Sequence, residues 1–338
     1  MKKLPFLFLA AGLICLFLLI RGIGLSTLLN NLRQVSWCVL LVIAAELLGD
    51  VLNTRGWRFL FASEERVVPC STLYAVRLAG AAVNAVTPTA MVGGEVLKAL
   101  LLQPYLPLSD GLSSVISDKL SLMLGQAVFI LVGLCAFLHR LVLPPAAKAA
   151  LVAAFSLIVL GSLLFLRVQR NGLFAWLFRL AERFGLSPTT LVGLRTQAAT
   201  IDDKLVSLHV TRGTDFFLSV LFHFLAQELG ALQIFLLLFW LAIPADFFTC
   251  LAVESFSLLL DGALFFVPGQ VGTQEGGKVV IFTALGFTAT TGLTVGVALR
   301  LNQVVIILLG LTILAILNPR MRKEEGRMQE LPLRGFHS

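Results

Sequence analysis

The residues of this chain best suited to chemistry are acid–base pairs that lie beside proline and glycine inside strongly apolar sequence. The pattern Pro-x6-Glu-x2-Lys occurs twice, and each residue of the second copy follows its counterpart by 180 positions: Pro88, Glu95 and Lys98, then Pro268, Glu275 and Lys278. Unpaired backbone groups and charges are costly in hydrocarbon, so such segments persist at membrane depth only where protein or a water-filled cavity surrounds them. A duplicated broken-helix signal is typical of the central site of a transporter. The alternative is a coincidental match between two ordinary loops.

Further ionisable residues lie inside apolar segments, where they usually face a cavity or one another. The last apolar segment carries Arg300, followed by Asn302 and Gln303. The other candidate cavity residues are Glu46, Asp50, Asp118, Lys119, Glu228, Glu254 and Asp261. This mixture of charges predicts a polar cavity able to neutralise a zwitterionic or anionic lipid head group, and half-helix N-termini would add backbone donors. The alternative is that each Glu-x2-Lys pair only closes on itself within its own helix.

Composition decides the class of protein. The hydrophobic fraction is 58% and the charged fraction only 13%, so we expect an all-α, polytopic membrane protein. The net charge of +7 lies mostly in loops, where it sets orientation, and predicts no nucleic-acid partner. The five cysteines and four histidines show no ligand spacing, so we expect neither a metal site nor a cofactor.

Eight apolar segments must position these residues. Six have the length of a full span: about Leu4–Ile20, Trp37–Leu60, Asp110–Leu138, Lys148–Leu166, Asp215–Leu241 and Gly292–Leu317. We expect Leu4–Ile20 to be a retained first span, because no small-x-small cleavage site follows it. Two further segments, 72–103 and 247–286, are interrupted, and their parts are shorter than the roughly 20 residues that a crossing helix needs. They are predicted to be re-entrant hairpins, with two complete crossings each as the alternative.

Basic residues indicate the orientation. With both termini cytoplasmic, the cytoplasmic segments hold 17 Lys and Arg and the opposite side holds 4, in agreement with the positive-inside rule. The segment 167–213 is a cytoplasmic insert that contains a basic amphipathic helix, and 318–338 is a polar cytoplasmic tail.

The offset of 180 divides the chain into two membrane repeats, 1–147 and 148–317. Each repeat has three full spans and one hairpin. Because three is odd, the second repeat enters the membrane upside down relative to the first, and the two hairpin tips meet from opposite sides. This arrangement is that of an inverted-repeat transporter.

The motifs resemble the flippase-like family that includes the membrane domain of lysylphosphatidylglycerol synthases. The matching residues are Asn84, Pro88, Gly94, Glu95 and Lys98, then Pro268, Gly269, Gly272, Glu275 and Gly276, and finally Arg300. Lys98 stands where the family more often has arginine, and Gln270 replaces a usual glycine. The stretch FFVPGQVGTQEGG is similar to stand-alone members associated with hopanoid biosynthesis.

The resemblance implies movement of a phospholipid or lipid-linked intermediate between leaflets of the bacterial inner membrane. Membrane lipids, and enzymes of lipid biosynthesis, are the implied partners; no pattern assigns an oligomeric state. The stretch after Asn318 is too short for a lysyl-transferring domain, so we expect no enzyme activity. Two alternatives stay open: a lipid-modifying or glycosyl-transferring enzyme with Glu95 or Glu275 as general base, and a non-catalytic scaffold of a lipid-biosynthesis complex.

Overall fold

The computed structural model describes residues 24–61, 68–87, 92–140, 172–183, 211–264 and 267–329, with scattered residues of 17–22, 146–168 and 199–206. Throughout these ranges the fold is helical and contains no strand. The predicted all-α class is therefore confirmed. The predicted spans Leu4–Ile20 and Lys148–Leu166 lie largely outside the described residues, as does Pro88 of the first motif.

Five helices belong to the first half of the chain: α1 Leu25–Gln34, α2 Cys38–Phe59, α3 Cys70–Val86, α4 Gly93–Leu101 and α5 Leu108–Arg140. The insert contributes α6, Leu173–Arg183. The second half contains α7 Gly213–Trp240, α8 Phe247–Ala263, a 3-10 turn Pro268–Gln270, α9 Thr273–Ala284 and α10 Ala289–Gln329.

Three of the described helices are long and apolar enough to cross a membrane: Leu108–Ala136, Gly213–Trp240 and Ala289–Leu317. They correspond to three of the six predicted full spans. The predicted span Trp37–Leu60 forms α2, which meets the same criteria only together with α1, from which it is bent by 71°. The reason is its polar content, since Glu46, Asp50 and Arg55 lie within the helix.

Each interrupted segment folds back on itself as a pair of antiparallel helices. In the first pair, Gly80 of α3 lies against Lys98 of α4, and Asn84 lies against Gly94. In the second pair, Ser257 of α8 contacts Lys278 of α9. The positions of the breaks therefore agree with those that glycine and proline predict.

The α3–α4 pair is so close that glycine is required at the contact. A Cβ atom on Gly94 would overlap the carbonyl oxygen of Gly80 and lie 2.6 Å from Cγ of Asn84. Glycine lets the two backbones approach, as small residues commonly do between membrane helices.

Two pairs of helices begin at or within one residue of the predicted offset of 180. The first residues of α4 and α9 are Gly93 and Thr273, and those of α5 and α10 are Leu108 and Ala289. The hairpin helix α3 packs on α10, while its counterpart α8 packs on α5. Each hairpin therefore rests on the long helix of the other half.

The counterparts α2 and α7 pack against each other along their whole length. Gly49 of α2 lies against Ala226 of α7, and Gly56 lies against Ser219. The contact positions move in opposite directions along the two helices, so α2 and α7 run antiparallel.

Candidate functional site

The first motif closes on itself. The side chain of Asn84 accepts the Gly94 N–H at 2.7 Å and donates to Glu95 Oε1 at 3.1 Å. The other oxygen of Glu95 pairs with Lys98 Nζ at 2.9 Å. Asn84 thus joins the end of α3 to the start of α4, and the carboxylate at the first turn of α4 also suits the helix dipole. The pair within one helix, expected as the alternative, is what forms here.

The second motif is connected differently. Glu275 is only 1% exposed, and its Oε1 receives Arg300 Nε at 2.6 Å. Its Oε2 accepts the Gly272 N–H at 2.7 Å and so caps α9. Lys278 does not pair with Glu275 but donates to Ser257 Oγ on α8 at 3.1 Å. The partner of Glu275 is therefore supplied by α10.

Arg300 also holds the tip of the second hairpin. Its guanidinium donates to the carbonyl oxygens of Gly269 at 2.8 Å and Gln270 at 2.9 Å. Gly269 and Gly272 have positive φ angles of 60° and 79°, which glycine adopts at little cost. The Pro-Gly-x-x-Gly spacing therefore provides the backbone turn whose carbonyl oxygens accept hydrogen bonds from Arg300.

Gln270 shows how this chain tolerates its departure from the family pattern. Its φ angle is 49°, a conformation that favours glycine. Its side chain compensates by donating to the Asp261 carbonyl at 2.7 Å and accepting from Gln274 at 2.8 Å. The glutamine thereby ties the tip to α8 and α9.

We expect Gln270→Gly to change the free energy of unfolding by less than about 1 kcal/mol, because relief of the left-handed backbone offsets the lost hydrogen bonds. Gln270→Ala should cost about 1–2 kcal/mol, because it keeps the backbone cost and loses both bonds. Thermal unfolding in detergent would rank the two variants. An alanine variant as stable as the wild type would contradict this explanation.

A cavity of about 270 Å³ lies between helices of both halves. Its polar lining comes from α2, α7, α8, α9 and α10 and comprises Glu46, Asp50, Gln233, Glu254, Asp261, Gln274, Lys278, Asn302 and Gln303. Apolar residues of α3 and α10 complete the wall. The structure thus brings together four of the predicted cavity residues, Glu46, Asp50, Glu254 and Asp261, with Lys278 of the second motif. It adds two amides that sequence reasoning missed, Gln233 and Gln274, although an amide within an apolar segment is itself a signal.

Beside the cavity, a buried ionic network joins α2, α3, α5 and α7. Arg77 lies 3.3 Å from Asp50 and 3.3 Å from Asp118. Asp118 Oδ1 approaches His223 Nε2 to 3.1 Å, without the alignment of a hydrogen bond. His223 Nδ1 lies 2.7 Å from Asn53 Oδ1. Arg77 and His223 were not predicted, although both are ionisable residues within apolar segments.

Three predicted cavity residues lie outside this lining. Asp118 belongs to the ionic network. Lys119 of α5 is half-buried near Glu95 and Asp118, and Glu228 of α7 is half-buried. Arg300 is also absent from the lining, while its neighbour Gln303, which it contacts at 2.7 Å, belongs to it. Among the described residues, no group of three or more His, Cys, Asp or Glu is arranged to hold a metal ion.

Comparison with known proteins gives one match. The family model for the lysylphosphatidylglycerol synthase TM region matches residues 6–310, a range that contains both hairpins and the whole cavity lining. No curated protein and no solved structure matches the chain.

Proposed function

This chain belongs to the lysylphosphatidylglycerol synthase TM region family, and on that premise we propose that it moves a phospholipid or lipid-linked intermediate between membrane leaflets. The family, which the two motifs predicted, is confirmed and indicates a membrane protein with a lipid-related function. The association with hopanoid biosynthesis stays a prediction.

The observation that carries this proposal is the polar cavity inside an apolar helix bundle. A side chain such as Glu46 or Asp261 is costly inside a membrane unless it faces water, a partner or a passing ligand. The volume of about 270 Å³ suits a polar head group, while the acyl chains remain among the surrounding lipids. Because both halves contribute to the lining, movement of one half against the other would change the access to the cavity.

The lining favours certain head groups. Four carboxylates, Glu46, Asp50, Glu254 and Asp261, face the cavity with one lysine, Lys278. Arg77, which lies outside the lining, pairs with Asp50, so three carboxylates and one lysine remain. An anionic head group would therefore meet a surplus of like charge unless the carboxylates are neutralised. A zwitterionic head group can place its cation near the carboxylates and its phosphate near Lys278.

The enzyme alternative is less well supported by the geometry. A general base needs to reach its substrate, but Glu275 is 1% exposed and both of its oxygens have partners. Glu95 is likewise held by Asn84 and Lys98. A scaffold would have no need of a charged cavity, so the same residues favour transport.

We further propose that the repeats 1–147 and 148–317 are inverted in the membrane, with re-entrant hairpins at 72–103 and 247–286. The antiparallel packing of α2 on α7 supports this arrangement, because equivalent helices then cross in opposite directions. Both termini, the insert and the tail would face the cytoplasm of the inner membrane. Trp176 and Leu177 of α6 are exposed, which suits a helix on the membrane surface.

The inverted arrangement places the two hairpin bases on opposite sides of the membrane. Gln103 follows α4, Thr288 follows α9, and both are exposed. We expect Gln103→Cys to react with an impermeant thiol reagent from the cytoplasmic side and Thr288→Cys from the other side. Both variants would be made in a protein without its five native cysteines. Reaction of both cysteines from one side would contradict the inverted arrangement.

Reconstitution in liposomes tests the transport function. We expect the purified protein to equilibrate a labelled phosphatidylethanolamine between leaflets, and mass spectrometry to find the lipid unchanged. Empty liposomes give the background rate. A modified lipid without leaflet exchange would favour the enzyme. If a panel of lipids shows no exchange and no modification, the scaffold is favoured.

A further inference from the structure

One buried acceptor in the cavity lacks a donor. Asn302 of α10 is 3% exposed and lines the cavity, and its Oδ1 atom has no hydrogen-bond partner. Buried polar atoms in folded proteins nearly always have a partner, so a buried atom without one calls for an explanation. The atom is therefore available to accept a hydrogen bond from a donor in the cavity.

An ionisable neighbour of this amide is Glu46 of α2. The side chain of Asn302 lies within hydrogen-bond reach of the Glu46 carboxyl group, and Glu46 Oε2 accepts a hydrogen bond from Gln233 Nε2 at 2.7 Å. Among the described residues, the other ionisable groups near Glu46 are Asp50 of the same helix, Tyr74 of α3 and Glu254 of α8, none of which is a cation. The cation of α3, Arg77, pairs with Asp50 and Asp118. Lys278, the lysine of the lining, donates to Ser257.

We propose that Glu46 binds and releases a proton in each transport cycle, and that Asn302 Oδ1 accepts a hydrogen bond from the O–H group of the protonated carboxyl group. The proton enters from the aqueous phase on one side, converts the carboxylate to a carboxylic acid, and leaves to the other side. No bond of the lipid forms or breaks. The protonated form gives Asn302 its missing donor and leaves the hydrogen bond from Gln233 in place.

A bound proton would also reduce the excess of negative charge in the cavity when a head-group phosphate enters. In this respect the inference rests on the proposed function. Protonation of Glu46 removes one of the four negative charges, of which that of Asp50 is already paired with Arg77, while a head-group phosphate is inside. A buried carboxyl group is far less costly as the neutral acid than as an unpaired carboxylate. Proton binding and lipid binding would therefore favour each other, as linkage requires.

The first test uses liposomes of phosphatidylethanolamine and phosphatidylglycerol with a pH gradient. We expect labelled lipid to accumulate in one leaflet beyond equal distribution, to accumulate in the other when the gradient is reversed, and to lose this bias with a protonophore. Glu46→Gln should equilibrate lipid without accumulation. Glu228→Gln makes the same change outside the cavity and should behave as the wild type.

The second test reads the proton directly and does not depend on transport. Infrared difference spectra of the protein in detergent, recorded across a pH step, should show the C=O band of a protonated carboxylic acid that Glu46→Gln abolishes. Asn302→Leu should shift this band to higher wavenumber, because the O–H group loses its acceptor. Absence of the band in the wild type would overturn the proposal.

The two tests separate failure of the proton site from failure of the transport function. Lipid exchange that ignores the pH gradient, or follows a sodium gradient instead, overturns proton coupling and leaves translocation intact. A Glu46-dependent carboxyl band without any lipid exchange supports the proton site and counts against translocation.

Discussion

Glu275→Gln is expected to slow lipid exchange by between about tenfold and a hundredfold. The glutamine can still accept the Gly272 N–H, but it offers Arg300 no negative charge, and Arg300 holds the carbonyl oxygens of Gly269 and Gln270. A hydrogen bond to a charged group contributes about 1.5–3 kcal/mol. A loss of this size corresponds to a factor of about 10 to 150. Initial rates in liposomes measure the effect.

Arg300→Gln should reduce stability more than Glu275→Gln does. It leaves a carboxylate that is 1% exposed without its cation, whereas Arg300 is partly exposed and can be hydrated. Removing one partner of a buried ion pair typically costs about 3–5 kcal/mol. The double variant should be less destabilised than the sum of the two single variants, because no unpaired charge remains.

Stability and exchange measured on the same variants separate the two roles of this pair. If the double variant recovers stability but not exchange, the charges act in transport as well as in holding the hairpin tip. Glu228→Gln is the matched control, since it removes a carboxylate outside the cavity. Full exchange by a correctly inserted Glu275→Gln variant would show that the pair has no part in transport.

Gly94→Ala is expected to destabilise the packing of α3 against α4. The added methyl group would overlap the backbone oxygen of Gly80, and a backbone atom cannot move aside as a side chain can. Relief requires α3 and α4 to separate, which also breaks the contacts of Asn84 with Gly94 and Glu95. Overpacking typically costs about 1–3 kcal/mol, and a clash with backbone belongs at the upper end.

Gly262→Ala is the control for this prediction. Gly262 lies in α8 of the other hairpin, and a Cβ atom there would have no heavy atom within 4 Å. We expect it to be neutral or to stabilise the helix by up to about 1 kcal/mol. The fraction of monodisperse protein after extraction and its unfolding temperature compare the two variants. Equal behaviour of Gly94→Ala and Gly262→Ala would contradict the close approach of α3 and α4.

The positions of the helices and hairpins could largely be predicted from the sequence. Glycine and proline break a helix through local backbone effects, so the breaks at 88–94 and 268–277 are visible without any tertiary information. The offset of 180 likewise predicts the start of α9 from that of α4. The exception is α2, which was predicted to be a full span. Because acidic and basic residues lie within it, α2 is apolar enough to cross a membrane only together with α1.

The partners of the motif residues could not be predicted, because they depend on which helices meet. Both copies place lysine three positions after glutamate, yet Glu95 pairs with Lys98 while Glu275 pairs with Arg300, 25 positions away. Arg77 reaches Asp118 across 41 positions. Local spacing determines which residues share a helix face. Only packing between helices determines which cation lies near enough to neutralise the glutamate of each motif.

The most direct test of lipid transport through the cavity is whether a lipid head group enters it. In a protein without its native cysteines, Ile307→Cys places a thiol in the cavity wall, and Leu308→Cys places one on a neighbouring surface that is 59% exposed. A phosphatidylethanolamine whose head group carries a thiol-reactive methanethiosulfonate would be presented to each variant in liposomes. We predict a lipid adduct at residue 307 that forms faster than at residue 308 and slows in Glu275→Gln. Reaction at residue 308 alone would contradict a path through the cavity.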